Sequence, residues 1–345
     1  NLHVVGYSTP VDSFFTLDDL SPHLYSLPER PNAIPYVTSY YKKDWGFCLP
    51  HVIRQKLKDC KYHVKIDSKL IPGELNYGEL IIPGDTEDEI FFSTYICHPS
   101  MANNELSGPV VAAALARWTK SLIKRKYTFR FIFIPETIGS ISYIYQNKDL
   151  KNKVIAAFNL TCIGDDRAFS FLGTRKGNTL SDKVAKYILD SEEIKYQEYS
   201  FLARGSDERQ YCWPGIDLPM VSVMRSKYAT YPEYHTSDDD LNLISPIGLQ
   251  GAFDVHCKMI EALEVNQIYT ANTICEPFLT KYNLYPSIST LMPKVRSRIL
   301  IDFLIYCDGN NDVIDIAKIL GLPIRDTMEI VSKLQELHLI RSEII

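Results

Sequence analysis

Two histidines, one glutamate and a knot of acidic residues stand where this chain could do chemistry. His98 lies in Cys97-His98-Pro99, at the end of an apolar, β-branched and aromatic run, and the polar Asn103-Asn104-Glu105 follows it. Glu136 sits in Ile134-Pro135-Glu136-Thr137-Ile138-Gly139-Ser140, directly behind a second apolar run. Arg204-Gly205-Ser206-Asp207-Glu208-Arg209-Gln210 packs charges around a turn, and Tyr231 to Asp240 sets His235 among acids ahead of a helix. Each feature alone has a plain structural use: His98 can cap a strand, Glu136 can brace a loop, and the acids after His235 can serve a helix N-terminus. Together they are the ingredients of a metal-assisted hydrolase. Zinc binds imidazole and carboxylate and keeps one position open, while a nearby carboxylate takes a proton from water. A glutamate behind a fully apolar strand is partly desolvated, which raises its proton affinity toward that of a useful general base.

Those side chains need a scaffold that delivers them to one place. Apolar strand candidates at 90–96, 129–134, 154–160 and 220–224 alternate with helical stretches near 108–121, 140–146, 180–189 and 246–265. Strands this continuously apolar are buried on both faces, so the pattern predicts a mostly parallel sheet flanked by helices, an α/β fold. Open sheets of this kind bind ligands beyond the strands' carboxyl ends. His98, Glu136 and His235 are therefore expected to converge there. If one zinc joins the two imidazoles, they must lie within about 8 Å of each other, because zinc–nitrogen bonds are about 2.1 Å long. No GxGxxG follows a strand and no GxxxxGK[ST] occurs, so dinucleotide and P-loop chemistry are poorly supported.

The 345 residues, 46% hydrophobic and 12% aromatic, suffice for two or three packed units. A net charge of -5 gives no general attraction to nucleic acid or anionic membrane. The eight cysteines form no CxxC pair and read as reduced thiols of a cytoplasmic protein. No apolar run is long enough to span a membrane. Before the α/β rhythm begins, residues 12–76 are irregular and rich in Pro and Tyr, with alternating Tyr62 to Ile66. This reads as a small β-rich inserted domain beside the cleft. The expected division is 1–11 with 77–285 for the α/β domain, 12–76 for the insertion and 286–345 for the tail, with a strand already at Leu2–Val5.

In order, CHPSMANNELSG, PETIGS, FNLTCIG, GSDERQ and YHTSDDDL resemble the zinc-dependent exopeptidase superfamily. The likeness is greatest to a bacterial aminopeptidase-like branch with a small inserted domain and a C-terminal winged helix. In that branch a segment usually precedes the equivalent of Asn1. The resemblance implies His98 and His235 as metal ligands and Glu136 as the general base. Three departures bear on the metal. Asn104 stands where di-zinc members have a bridging Asp, Thr137 where they have a ligand Glu, and Thr161 where they have a further Asp. A neutral amide and two hydroxyls do not offset the repulsion between two divalent cations, so one zinc is expected rather than two. Glu105 is the first choice of third ligand and Asp207 the second. Asn104, Asp207 and Glu208 are expected to contact substrate, with Glu208 meeting a free amino group.

The tail reads as helices at 296–307, 313–320 and 325–337, with a turn at 308–311, a connector over 270–293 and a strand over 339–345. This is the layout of a winged helix-turn-helix. Its third helix, RDTMEIVSKLQEL, lacks the basic face of a DNA reader, so packing or self-association into a homo-oligomer is expected instead of DNA binding. Two functions follow. One is a zinc hydrolase cleaving a peptide or aminoacyl-conjugate at its amino end. The other is a weakened or inactive relative whose cleft binds a ligand in a regulatory role.

Overall fold

Period-two side-chain alternation decides which faces of the central strands are covered. In strand Glu89–Tyr95, Ile90 and Phe92 enter one apolar cluster while Phe91 enters another. Phe129 and Phe131 of Thr128–Ile134 share the first cluster, and Ile132 and Ile134 share the second. Ala156 and Ala157 of Val154–Asn159 split in the same way. Successive residues point to opposite sides of a strand, so a run apolar at every position must be covered twice. Helices Ser107–Ser121, Leu180–Ser191 and Pro246–Val265 supply buried residues to the first cluster, and Ile138–Gln146 and Glu208–Tyr211 supply them to the second.

These relations come from a computed structural model that describes residues 2–40, 42–282 and 295–342. The sheet has seven strands, in the order Gln197–Tyr199, Ser170–Leu172, Met220–Met224, Val154–Asn159, Glu89–Tyr95, Thr128–Ile134, Gly78–Ile82. The central strands, from Met220–Met224 to Thr128–Ile134, are parallel. Gly78–Ile82 joins antiparallel at one edge, and Ser170–Leu172 joins antiparallel to Met220–Met224 near the other. The fold is therefore the expected α/β sheet flanked by helices. The short strands at 170–172 and 197–199 were not legible as apolar runs, and Gly78–Ile82 belongs to this sheet.

The small N-terminal unit pairs Val11–Phe15 with Tyr62–Ile66 and Leu24–Tyr25 with Phe47–Cys48 around a cluster of Leu20, Leu24 and Val64. Residues 2–9, expected with the α/β domain, bond into this unit. Val5 N donates to Gly46 O, Gly6 N to Val37 O and Thr9 N to Asp44 O. The strand expected at Leu2–Val5 is reduced to one bridge, Val4 to Phe47. At the other end, Ile268–Ala271 pairs with Asp308–Asp312 and Ile340–Ser342, so the winged-helix sheet begins well before residue 286. The stretch read as a turn at 308–311 is one of its strands. Helices Val295–Ile305, Val313–Leu320 and Ile324–Glu336 complete the unit. The end of the connector expected over 270–293 and the end of the strand expected over 339–345 lie outside the described residues.

The winged helix is fused to the main core. Ile314, Ala317 and Ile324 are buried within the cluster that fills the α/β domain, and Tyr187 Oη donates to Leu322 O. Lys183 bridges Asp312 and Asp315 across the same boundary.

Gly108 sets how closely the helix behind His98 approaches the sheet. A Cβ there would lie 2.3 Å from Thr94 Oγ1 and 2.4 Å from Leu160 O, one of them backbone that cannot step aside. Gly108→Ala should lower stability by about 1–3 kcal/mol through overpacking, measured by urea unfolding; an unchanged midpoint would show that the helix has room to shift.

Candidate active site

His98 and Glu136 each leave a strand of the parallel sheet at its carboxyl end. His98 follows Glu89–Tyr95 and Glu136 follows Thr128–Ile134. Because these neighbouring strands are parallel and in register, Tyr95 opposite Ile134, the two residues emerge side by side. His98 Nε2 lies 3.6 Å from Glu136 Oε2. His235 arrives from a loop with a left-handed backbone, φ 56°. Its ring centre is 5.2 Å from that of His98.

The segment after His98 is not a loop. Ala102–Leu106 forms one turn of π-helix that runs directly into helix Ser107–Ser121. Its first amides need acceptors, and fully buried Asp239 provides them. The Asp239 carboxylate accepts from the backbone N–H groups of Ala102, Asn103 and Asn104 and from Tyr231 Oη. The acids after His235 thus serve a helix N-terminus, but that of the segment behind His98. Burial raises the Asp239 proton affinity, and these hydrogen bonds oppose it.

Glu105 is buried and its Oε2 accepts from the His98 backbone N–H at 2.9 Å and lies 3.2 Å from His98 Nδ1. It occupies the ring nitrogen opposite the one facing Glu136. Among the described residues, Cys97, His98 and Glu105 are the group of three close enough to share an ion, whereas the expected trio of His98, Glu105 and His235 is not brought together in that way. Glu105 thus lies on the Nδ1 side of His98, while Nε2 faces Glu136.

Glu136 is half-buried, and desolvation raises its proton affinity, with His98 and Ser206 pulling the other way. Asp207 is fully buried and pushed up to about 7, first by desolvation and then by the charge of Glu136. Asp207 Oδ1 accepts from Thr137 N and Ser140 Oγ, both 2.8 Å, while its Oδ2 has no partner among the described residues. Thr137 is held in a strained γ-turn, φ 65° and ψ -69°, closed by Ile138 N donating to Glu136 O. The Thr137 N–H bond to Asp207 and an Arg209 guanidinium bond to Thr137 Oγ1, 2.5 Å, hold it there.

Glu208, expected to meet a substrate amine, is used up inside the protein. Its carboxylate accepts from Gly205 N, Ser206 N, Tyr228 Oη and Asn159 Nδ2, and no part of it is exposed. A buried carboxylate so fully bonded braces its loop and has little capacity for a ligand. Asn104 is also buried. Its amide donates to Tyr95 Oη, which in turn pairs with Thr161 Oγ1, and its Oδ1 is unpartnered.

The donor set can be tested against zinc. Two imidazoles on one tetrahedral ion at about 2.1 Å have ring centres roughly 5 Å apart, and the observed separation is 5.2 Å. His235 Nε2 is buried with no partner, and burial pushes His235 down to about 4, so its ring is neutral and a lone pair is available. The ring spacing leaves room for both imidazoles on one such ion. Asn104 and Thr161 both bond to Tyr95, Thr137 Oγ1 accepts from Arg209, and none of the three neutral side chains adds charge for a second ion.

Residues 19–266 match a family described as a domain of unknown function, DUF4910, and residues 267–342 match a winged helix-turn-helix family. The chain belongs to the DUF4910 family. A Clostridium acetobutylicum protein, provisionally named a polysaccharide biosynthesis protein with an aminopeptidase-like domain, is 39% identical over 327 residues, 94% of this chain and 75% of that one. A crystal structure from C. acetobutylicum, provisionally described as a peptidase, matches with a TM-score of 0.92 at 37% identity, covering 99% of this chain and 78% of that one. BSAP, a zinc aminopeptidase of Bacillus subtilis, shares the fold at 16% identity, with a TM-score of 0.53 over 70% of this chain and 62% of its own. The DUF4910 chain thus has the fold of bacterial zinc aminopeptidases with a winged helix added.

Sequence reasoning missed Tyr36, whose ring lies 5.3 Å from His98 and 5.1 Å from His235. It comes from the small N-terminal unit. Tyr36 N donates to His235 O, Ser237 N donates to Ile34 O, and Arg30 pairs with Asp238. Only a pairing between the Pro- and Tyr-rich stretch and the YHTSDDD loop could have revealed it, and neither has a periodic signal.

The buried Asp207 gives a pH prediction. Its folded-state value, about 7, exceeds the ordinary carboxylate range, so the folded chain binds the extra proton. Stability from this group is full at low pH and is lost as pH rises toward and through 7. Asp207→Asn keeps the acceptor and removes the charge, so its stability relative to wild type should improve between pH 5 and pH 8. Urea unfolding at both values checks this; an equal difference at the two would mean that Asp207 is ionised throughout.

Proposed function

We propose that this chain is a metal-assisted hydrolase that cleaves a peptide or aminoacyl-amide bond, with one zinc held by His98 and His235 and with Glu136 as general base. The observation carrying this reading is the convergence of two imidazoles and one desolvated carboxylate beyond the same strand ends. The aminopeptidase-like name of the C. acetobutylicum relative supports it.

Zinc, when bound, would supply Lewis acidity, polarising a carbonyl and making water acidic near neutral pH. Everything else is the chain's own work. Glu105 lies on the Nδ1 side of His98. Glu136, less stable as an anion than an exposed glutamate, accepts a proton from water and passes it to the departing amine. Asp207 is raised by desolvation and then by the charge of Glu136, so ionising both carboxylates together is unfavourable. Its unpartnered Oδ2 is the acceptor we assign to a substrate's amino group, in place of Glu208. Asn104 stays near this pocket as a neutral liner.

Replacing Glu136 with Gln preserves size and removes the base. Turnover of an aminoacyl amide should fall roughly 10²–10⁴-fold while zinc content is unchanged, whereas His235→Ala should lose the zinc. Equal activity in Glu136→Gln would remove Glu136 from the reaction. A zinc-replete wild type with no turnover of any aminoacyl amide or peptide would favour the second reading, a ligand-binding relative, for which the neutral Asn104, Thr137 and Thr161 speak.

The winged helix is assigned to packing. Helix Ile324–Glu336 buries Ile324 and Thr327, and its Arg325 faces Glu261 of the α/β domain. A duplex DNA labelled with fluorescein should show no anisotropy change with the full chain at physiological salt; saturable binding there would contradict this assignment.

A further inference from the structure

We propose that Tyr7, Tyr36, Tyr40 and Tyr234 form a ring-binding subsite at the mouth of the candidate active site, which takes an uncharged ring of the substrate by its face. The inference relies on the hydrolase reading for the subsite's purpose, but not for its existence.

Tyr7 and Tyr40 are 60% and 69% exposed, and their rings stack with centres 6.5 Å apart. Two large aromatics left in water gain little from burial, yet both also sit in left-handed backbone, at φ 64° and 49°. For a bulky residue that conformation is strained and persists only where the surrounding bonds hold it. Ser39 N and Oγ both donate to Gly6 O, and Gly6 N donates to Val37 O, so the two loops are tied together with the rings held outward.

The surface continues inward. The bond from Gly6 N to Val37 O joins the residue before Tyr7 to the residue after Tyr36, and Tyr40 follows on the same segment as Tyr36. Tyr36 packs on both imidazoles, and Tyr234 stacks on His235 with ring centres 3.8 Å apart. One pair of rings therefore stands in solvent and the other against the candidate ligands, on segments tied to each other by backbone hydrogen bonds.

Hydrogen bonding separates these tyrosines from their deeper neighbours. Around the same site, Tyr95, Tyr211, Tyr228 and Tyr231 each have their hydroxyl bonded within the protein. Among the described residues, no protein hydrogen bond is made by the hydroxyls of Tyr7, Tyr36, Tyr40 or Tyr234. Four free hydroxyls on aromatic faces suit a ligand that is apolar on its face and polar at its edge. A sugar ring and a substituted aryl ring share that chemistry.

Saturation-transfer NMR on the full chain decides the matter with three uncharged probes: methyl β-D-glucopyranoside, benzyl alcohol and glycerol as the linear control. We expect transfer to the ring protons of at least one ring probe and not to glycerol. That transfer should fall at least fivefold in Tyr7→Ala/Tyr40→Ala and persist in Glu136→Gln. The responding probe identifies the source, sugar or aryl. The single variants Tyr7→Ala and Tyr40→Ala, at exposed positions, repeat the test if the double variant fails to fold. No transfer to either ring probe, transfer to glycerol of equal strength, or undiminished transfer in the tyrosine variants would overturn the proposal. Because Glu136→Gln is read by binding, loss of the hydrolase reading leaves this result intact.

Discussion

The arrangement depends on one buried carboxylate. Asp239 accepts three consecutive backbone N–H groups from the π-helical turn behind His98, and it lies in the loop that carries His235. Segments 137 residues apart are thereby held by a single side chain. A buried carboxylate is costly unless its lone pairs are filled, so this contact tolerates little slack. With Asp239 satisfied, the two imidazoles have fixed positions. The small N-terminal unit then secures the same loop from its other side, through Tyr36, Ile34 and Arg30.

Around that clamp, the electrostatics have an order. Glu105 takes one nitrogen of His98, which leaves the other for the cleft. Burial keeps His235 neutral and destabilises the anionic forms of Glu136 and Asp207. With its value pushed up to about 7, Asp207 is mostly neutral only in the acidic range, where Glu136 does not face a second full charge. The strained turn at Thr137 links the two acids, because its N–H is given to Asp207 while its preceding residue is Glu136. Strain of this sort persists only where surrounding bonds over-determine it, and here the Arg209 guanidinium and the Asp207 carboxylate do so.

Much of this was legible in the sequence where the physics is local. The strands Met220–Met224 and Thr128–Ile134 and the helix Pro246–Val265 follow from apolar runs and from a Ser-Pro start. His98 and Glu136 were legible because parallel strands deliver whatever follows them to one edge. What long-range hydrogen bonding decides was not legible. Glu105 and Glu208 carry the right chemistry for a site, but Glu105 Oε2 bonds to His98 and the Glu208 carboxylate to the 205–206 loop, Asn159 and Tyr228. Asp239 and Tyr36 act across the fold, and no spacing in the sequence encodes their partners. The boundary of the winged helix shifted for the same reason, since a short strand at Ile268–Ala271 is identified only by what it pairs with.

The central claim is one zinc shared by His98 and His235. Zinc-edge anomalous diffraction from crystals of the full chain tests it most directly. The account predicts a single peak per chain, bonded to one nitrogen of each ring at about 2.1 Å. Two peaks close together, or one peak that touches neither imidazole, would contradict it.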